Sequence, residues 1–492
     1  MALRLSNTLS GRTEEFQPID GSKLVRMYSC GPTVYDYGHI GNFRTFVFVD
    51  LLRRVIKQSG FQLKHVMNIT DVDDKIIRKA AELKLTVREY AGKYEKAFLE
   101  DMKTLGLEQP EHMVRATEHI QGMGRFIKEL AEKGFAYRTD DGSYYFRIAK
   151  FPEYGKLSKK DLAGMEDGAR VDVDEYEKDH ARDFALWKAP KPGEAFWETE
   201  IGPGRPGWHI ECSVMAREFL GDSFDIHLGG EDLVFPHHEN EIAQSEALTG
   251  KPFAKFWVHC RFLLVESEKM SKSLGNFYTL RDLLIMGHKA SSIRYLLSSV
   301  PYTRQLNFTF DGLKQAAQSV ERLRNCQQRL LSGKFAEGSS ERFARLAQQT
   351  KEKMRAGLED DMNTAVALAA VFDMVREVNT AADAGELRQG DVPALLAVLK
   401  DFDEVFAVLT DDDAAKTRTA MEWAKAEGKL SADQSTALEG QLTDAQVEEL
   451  VAQRNEAKKS RDFPRSDAIR KQLSDGGIVL EDTKDGVRWK RK

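Results

Sequence analysis

The chain lacks any run of eighteen apolar residues, so the sequence predicts no membrane-spanning helix. Its first residues, MALRLSNTLSGRTEEF, contain no apolar core of signal-peptide length. We therefore expect a cytoplasmic protein without a membrane partner. The net charge of −6 argues against a generally basic surface that would coat nucleic acid, although it allows a local basic face.

Cysteine is scarce as well, with four residues that lie far apart and form no CxxC pair: Cys30, Cys212, Cys260 and Cys326. This usage argues against a disulfide framework and leaves two options, buried thiols or dispersed metal ligands. The sequence also contains no GxxxxGKS motif, which disfavours a P-loop enzyme.

The length of 492 residues predicts two to four domains. Apolar segments at 24–30 and 62–67, with helical spacing between them from Phe43, predict a strand–helix–strand unit. We expect an α/β Rossmann-like parallel-sheet domain with an insertion, because the stretch 136–200 is irregular and rich in charge, glycine and proline. After residue 280 the spacing becomes helical, which predicts a mainly α-helical half with a small C-terminal α+β tail.

The motif HIGN, residues 39–42, lies between the first predicted strand and its helix. A helix N-terminus at the carboxyl end of a parallel strand offers free N–H groups to a phosphate. Gly41 would let a base or phosphate approach the backbone, and His39 could donate a hydrogen bond to a phosphate. Taken alone, the motif is equally well explained as an ordinary strand–helix turn with a surface histidine.

The motif KMSKS, residues 269–273, follows about 230 residues later. Lys269 and Lys272, flanked by small hydroxyl residues, suit a mobile loop that neutralises pyrophosphate as it leaves. A lysine pair alone is usually a solvated surface, but the two motifs together indicate an enzyme that adenylates a carboxylate. They resemble the HIGH and KMSKS signatures of class I aminoacyl-tRNA synthetases, with Asn42 in place of the final histidine.

Four residues form a candidate metal set: Cys30, Cys212, His237 and Glu241. His237 and Glu241 are four apart, so they share one face of a helix. Thiolate, imidazole and carboxylate are all zinc ligands. His238 is the alternative to His237, although its own i+4 neighbour, Ile242, cannot bind a metal. Buried thiols and an active-site histidine pair would explain the same residues without a metal.

Five longer segments resemble the cysteinyl-tRNA synthetase family: CGPTVYDYGHIGN, NITDVDDKI, GRPGWHIECS, DLVFPHHENEIAQSEA and KMSKSLGNF. The resemblance implies one Zn²⁺ per chain, held by the candidate metal set, that selects the thiol of L-cysteine. It also implies ATP with Mg²⁺ bound by His39, Gly41, Asn42 and Lys272, and an amino-acid pocket lined by Thr70 and Trp208. The implied acceptor is tRNA-Cys, and we expect a monomer.

The resemblance also assigns roles to the parts of the chain. We expect a Rossmann-type catalytic domain at 1–120 and 200–265, a connective insertion at 121–199 and a KMSKS and stem-contact region at 266–335. A helical anticodon-side bundle follows at 336–410, then a linker or exposed helices at 411–445 and a basic tRNA-binding subdomain at 446–492. That last segment holds seven basic residues between Arg454 and Lys471, and Trp489 is a candidate for stacking on a base.

Several points stay open at this stage. Asp71, Asp73 and Asp74 could bind the substrate ammonium or cap a helix. A paralogous ligase that joins cysteine to an amino sugar would share the motifs, although the roughly 180 residues after 310 argue against it. A catalytically silent RNA-binding paralogue would not need the intact KMSKS and metal set.

Overall fold

The computed structural model describes residues 2–160, 183–431, 434–435, 444–476, 478–483 and 486–491. Parts of two predicted segments, 161–182 of the insertion and 432–433 with 436–443 of the 411–445 stretch, lie outside these residues. The chain divides into two compact units, the first of residues 1–280 and 291–410 and the second of residues 281–290 and 411–492. Within the described ranges, no helix is both long and apolar enough to cross a membrane.

The strands up to residue 308 are, in chain order, β1 Arg4–Asn7, β2 Arg12–Glu15, β3 Leu24–Ser29, β4 Gln62–Ile69, β5 His112–Arg115, β6 Ala136–Arg138, β7 Tyr144–Phe146, β8 Phe184–Lys188, β9 Arg205–Pro206, β10 Phe224–Gly230, β11 Ala254–Cys260, β12 Leu263–Val265, β13 Glu268–Lys269 and β14 Leu306–Phe308.

The α-helices up to residue 406 are α1 Ile40–Gln58, α2 Asp74–Glu82, α3 Val87–Thr104, α4 Ile120–Glu132, α5 Trp208–Leu220, α6 Glu239–Thr249, α7 Leu280–Ile285, α8 Ala290–Ser299, α9 Phe310–Ser332, α10 Glu341–Glu359, α11 Thr364–Asp383 and α12 Val392–Phe406.

The central sheet of the first unit has five strands in the order β11-β10-β3-β4-β5. Every neighbouring pair is parallel, and α1 is the crossover between β3 and β4. The chain leaves β3 toward β4 on one side and returns beside β3 with β10 on the other. Ligands bind in open α/β sheets at the carboxyl ends of strands where the order reverses, which here is the end of β3. This sheet confirms the predicted Rossmann-like fold.

The insertion is more regular than the sequence indicated. Strands β6 to β9 form a four-stranded antiparallel sheet in sequential order. The expectation of an irregular stretch at 136–200 is therefore wrong for its described part. These strands have two to five residues, too few to show a two-residue apolar alternation among the surrounding charges. Trp187 of β8 is fully buried, so the inner face of this sheet joins the main apolar core.

The helical part of the first unit confirms the predicted change of pattern after 280. Helix α10 packs against α11 and α12, and α9 also contacts both of those helices. Helix α10 ends before Asp360, and Asn363 caps the start of α11. The Asn363 side chain accepts a hydrogen bond from the backbone N–H of Val366.

The second unit contains α13 Asp413–Ala426, α14 Asp444–Lys459, α15 Phe463–Asp475 and the antiparallel hairpin β15 Ile478–Thr483 with β16 Gly486–Arg491. Pro464 lies in the first turn of α15, where a helix needs no backbone N–H from it. Trp489 is partly buried against the small apolar cluster of this unit, and its stacking on a base stays a prediction.

Candidate active site and metal centre

The motif at 39–42 forms the N-terminus of α1. The His39 ring accepts a hydrogen bond from the Asn42 N–H at 3.1 Å, and the Asn42 side-chain oxygen accepts one from the His39 N–H at 3.1 Å. Asn42 thus completes a capping box, which gives the residue that departs from the family signature a structural task. The first turn of α1 carries no acidic side chain, so it is suited to an anion.

The hydrogen bond at its Nδ1 fixes the tautomer of His39. Because Nδ1 accepts, a neutral ring carries its proton on Nε2 and can donate from there. Burial, with the nearby charge of Lys272, lowers the pKa of His39 to about 4. At neutral pH the side chain is therefore an uncharged hydrogen-bond donor beside the helix N-terminus.

The KMSKS loop lies directly against this helix N-terminus, although the two motifs are far apart in sequence. The Ile40 N–H donates to the Tyr278 carbonyl at 3.0 Å, and the rings of His39 and Phe277 meet edge to face at 5.2 Å. A Cβ on Gly41 would lie 3.0 Å from the His39 ring and 3.2 Å from the Met270 methyl. A side chain at this position would therefore crowd the His39 ring and Met270 of the loop.

The two motif lysines have different surroundings. Lys269 is exposed at the end of β13. The Lys272 ammonium lies 2.6 Å from a carboxylate oxygen of Asp36 and 5.0 Å from the centre of the Phe277 ring. The structure therefore brings Lys272 together with His39, whereas it places Lys269 at the base of the same loop.

The candidate metal residues converge at the carboxyl end of β3. Cys30 follows β3, Cys212 lies in α5, and His237 and Glu241 lie in the turn before α6 and in its first turn. One donor atom from each residue falls within a group no more than 4.8 Å across, and all four residues are buried. The two sulfurs are 3.9 Å apart, and His237 Nε2 is 3.0 Å from Glu241 Oε1.

The charges of this cluster suit a divalent cation. Burial opposes ionisation of Glu241, but the charges of His227 and His237 hold the pKa of Glu241 at about 2. Burial likewise opposes ionisation of Cys212, yet the hydrogen bond from Cys30 and the proximity of His237 lower the pKa of Cys212 to about 6. Burial raises the pKa of Cys30 well above its usual range, and the thiolate of Cys212 adds to that effect. A bound cation would reverse the penalty on Cys30, so the donor set fits Zn²⁺.

A second donor set, Cys30, His227, His238 and Glu241, overlaps the first. It contains His238, which the sequence offered as the alternative to His237, and His227, which the sequence did not indicate. His227 Nε2 is 2.8 Å from Glu241 Oε2, and His238 Nε2 is 3.3 Å from the Cys30 sulfur. His238 Nδ1 in turn lies 2.8 Å from His259 Nε2. The sequence argued against His238 because Ile242, four positions later, cannot bind a metal. In the structure, Glu241, three positions later, and Cys30, from another element, both lie close to His238. His227 in β10 and His259 in β11 precede the carboxyl ends of their strands, which is the signal that could have identified them.

The two expected substrate residues, Trp208 and Thr70, differ in exposure and in their protein contacts. Trp208 stacks on the His237 ring with 4.2 Å between ring centres, and its side chain is 38% exposed. Thr70 is buried, donating to Glu211 at 2.8 Å and accepting from Asn68 at 3.1 Å. Trp208 can thus face a ligand above the metal residues, while the Thr70 hydroxyl already has two protein partners.

The three aspartates after β4 have protein partners. Asp73 caps α2 by accepting from the Ile76 N–H at 2.6 Å, as the helix-cap interpretation expects. Asp71 accepts from the backbone and hydroxyl of Thr117, and Asp74 forms ion pairs with Lys188 and Arg205. Cys260 and Cys326, expected to be packing thiols, are both buried.

A parallel Rossmann-like sheet that joins a helix-capping HIGN motif to a KMSKS loop defines a class I aminoacyl-tRNA synthetase. Residues 15–318 match the profile of the class I (C) tRNA synthetase catalytic domain, and residues 353–410 match the DALR domain. The chain is 66% identical to the cysteine–tRNA ligase of Koribacter versatilis and 57% identical to that of Solibacter usitatus, each over the full length of both chains. The chain therefore belongs to the cysteine–tRNA ligase family.

Solved structures extend the comparison of the fold. A Mycobacterium tuberculosis methionyl-tRNA synthetase in complex with methionyl-adenylate aligns with a TM-score of 0.55 at 14% identity, covering 86% of this chain and 95% of that one. An Agrobacterium radiobacter LeuRS in a ternary complex gives a TM-score of 0.59 at 11% identity, covering 82% and 86%. At these identities the likeness concerns the fold alone.

Proposed function

We propose that the enzyme activates L-cysteine with ATP to cysteinyl-adenylate and transfers the cysteinyl group to the 3′ end of tRNA-Cys. One observation carries this proposal. The cluster of Cys30, Cys212, His237 and Glu241 lies at the same sheet edge as the junction of His39 with the KMSKS loop. A centre that selects the thiol and a centre that binds phosphates, placed at one edge of the sheet, can hold cysteine and ATP next to each other for reaction.

The residues of the chain account for adenylation by positioning and charge. The cysteine carboxylate attacks the α-phosphate of ATP, which enters with Mg²⁺, and pyrophosphate leaves. The N-terminus of α1 and the His39 Nε2–H donate to the phosphates, and Lys272, with Lys269, neutralises the leaving pyrophosphate. Gly41 admits the loop, and Asn42 holds the His39 ring by capping. No covalent enzyme intermediate is needed.

The metal cluster accounts for the choice of amino acid. Zn²⁺, when bound by Cys30, Cys212, His237 and Glu241, supplies a Lewis acid that favours a thiolate over the hydroxyl of serine. Trp208, which stacks on the His237 ring, would cover the substrate side chain. Thr70 would help to shape the pocket around that side chain through its hydrogen bond to Glu211. A site that makes one specific polar contact rejects a rival by about 10⁴–10⁵ without editing, so we expect no editing domain.

The second unit supplies a surface that suits tRNA phosphates. Of the seven basic residues between 454 and 471, Arg454 is buried and the other six are exposed: Lys458, Lys459, Arg461, Arg465, Arg470 and Lys471. The exposed ring of Phe463 lies in the same stretch and offers an apolar face on which a base can stack. We keep the division proposed from the sequence, with 336–410 as the anticodon-side bundle and 446–492 as the tRNA-binding subdomain.

The alternative acceptor is an amino sugar. The DALR match at 353–410 and the full-length match to cysteine–tRNA ligases support tRNA instead. We propose further that the enzyme acts as a monomer in the cytoplasm, where translation takes place.

Two assays on the full chain test the proposal. ATP–pyrophosphate exchange should depend on cysteine and fail with serine, and exchange with neither amino acid would defeat the enzyme proposal. Purified tRNA-Cys should then accept cysteine while an amino sugar does not. The reverse preference would assign the chain to the amino-sugar ligases.

A further inference from the structure

Asp36, in the YDYGHIGN segment, forms an ion pair with Lys272 of the KMSKS loop. Its Oδ2 lies 2.6 Å from the Lys272 ammonium, across 236 positions of sequence. Its Oδ1 accepts from the N–H of the next residue, Tyr37, at 2.8 Å. The carboxylate is thus held by its own backbone and directed at the lysine that the adenylation step needs.

The position of the pair gives it a consequence for nucleotide binding. Lys272 also lies over the Phe277 ring, which meets the ring of His39, so the ion pair holds the ammonium beside the phosphate-binding helix N-terminus. The same ammonium is the partner proposed for the pyrophosphate. The ammonium has three N–H donors, of which Asp36 takes one, and the negative carboxylate opposes a phosphate that approaches the other two.

We infer that Asp36 restrains nucleotide binding: its carboxylate pairs with the Lys272 ammonium in the free enzyme and competes with the nucleotide phosphates for that ammonium. The inference rests on the proposed function, because it takes ATP as the ligand of this site. Asp36 acts through Lys272 and needs no contact with the substrates.

The size of the effect follows from exposure. The side chains of Lys272 and Asp36 are 66% and 37% exposed, so the pair is a surface ion pair of modest strength. Such a pair changes an equilibrium by about two- to fivefold. Because the Asp36 carboxylate opposes the bound phosphates to the same degree before and during the reaction, its removal should strengthen ATP binding and leave kcat unchanged.

The test is Asp36→Asn, which keeps the oxygen that accepts from the Tyr37 N–H and removes the charge. The KM for ATP in cysteine-dependent exchange should fall two- to fivefold, with kcat unchanged within a factor of two. Calorimetric binding of MgATP without cysteine should show the same shift in Kd. In a Lys272→Ala background the same substitution should change that Kd by less than a factor of 1.5. Asp36→Ala should act in the same direction as Asp36→Asn.

Asp222→Asn is the matched control. Asp222 pairs with Lys251 at 3.0 Å, and the two side chains are 34% and 60% exposed. It lies just before β10, at the amino-terminal edge of the parallel sheet and away from the site. Its substitution should leave the ATP constants unchanged.

Two outcomes would overturn the inference. A rise in KM for ATP with Asp36→Asn would mean that Asp36 helps to bind the nucleotide. An equal shift in the Lys272→Ala background would mean that Asp36 acts without Lys272. Both outcomes are distinguishable from a failure of the proposed function, which would abolish exchange in the unsubstituted enzyme.

Discussion

Cys212→Ser separates the selecting role of the cluster from its role in packing. Cys212 lies 3.9 Å from the Cys30 sulfur, and although burial works against ionisation, the Cys30 hydrogen bond lowers its pKa to about 6. Above that pH the side chain is a thiolate, whereas a serine hydroxyl stays protonated. Substitution of a residue that only hydrogen-bonds to a metal ligand lowers metal affinity about 10–100-fold. Loss of a ligand itself should therefore lower zinc affinity at least about 100-fold, or ~2.8 kcal/mol.

The assay compares Cys212→Ser with Cys326→Ser, which makes the same chemical change at another buried thiol, in α9. Both variants bury a hydroxyl and should lose similar stability, about 1–3 kcal/mol. Only Cys212→Ser should lose zinc, measured by elemental analysis, together with at least 100-fold in kcat/KM for cysteine. Full zinc content and undiminished rejection of serine in Cys212→Ser would refute the role assigned to the cluster.

Three further predictions concern the neighbouring structure. Gly41→Ala should lower kcat for exchange about tenfold, because the added Cβ would press on the His39 ring and Met270. The melting temperature should not fall, because alanine favours a helix more than glycine does. The His39 ring should titrate near pH 4 in NMR of the protein with labelled histidine, because burial and the charge of Lys272 lower its pKa. The unfolded chain binds this proton at higher pH, so the contribution of His39 to the free energy of unfolding is lost as pH falls from 6.5 toward 4. A titration midpoint near 6.5 would contradict the site geometry. Asp50→Ala should cost about 3–5 kcal/mol in urea unfolding, because it leaves Arg294, 1% exposed and 2.5 Å from Asp50, buried without its counter-ion.

The sequence predicted the parts of the fold that have strong periodicity. The strand that ends before Cys30, the helix that follows His39 and the next strand are where the apolar pattern placed them. The sequence did not indicate β5, because its four residues, HMVR, are too few to show the apolar alternation of a strand. For the same reason the short strands of the insertion were taken for irregular chain.

At the site, the sequence identified residue types but not their partners. The four metal candidates could be named because their chemistry is distinctive, and the structure brings them together. His227 and His259 could not be named, since their contacts with Glu241 and His238 depend on which strands are neighbours in the sheet. Asn42 was the open point of the signature, and only the capping contacts with His39 explain why asparagine serves there.

Charging of purified tRNA-Cys by the full chain, with radiolabelled amino acid, tests the proposed function most directly. Cysteine should be esterified to the 3′ end of the tRNA, and serine at the same concentration should not. Equal charging with serine, or adenylate formation without any transfer to tRNA-Cys, would contradict that function.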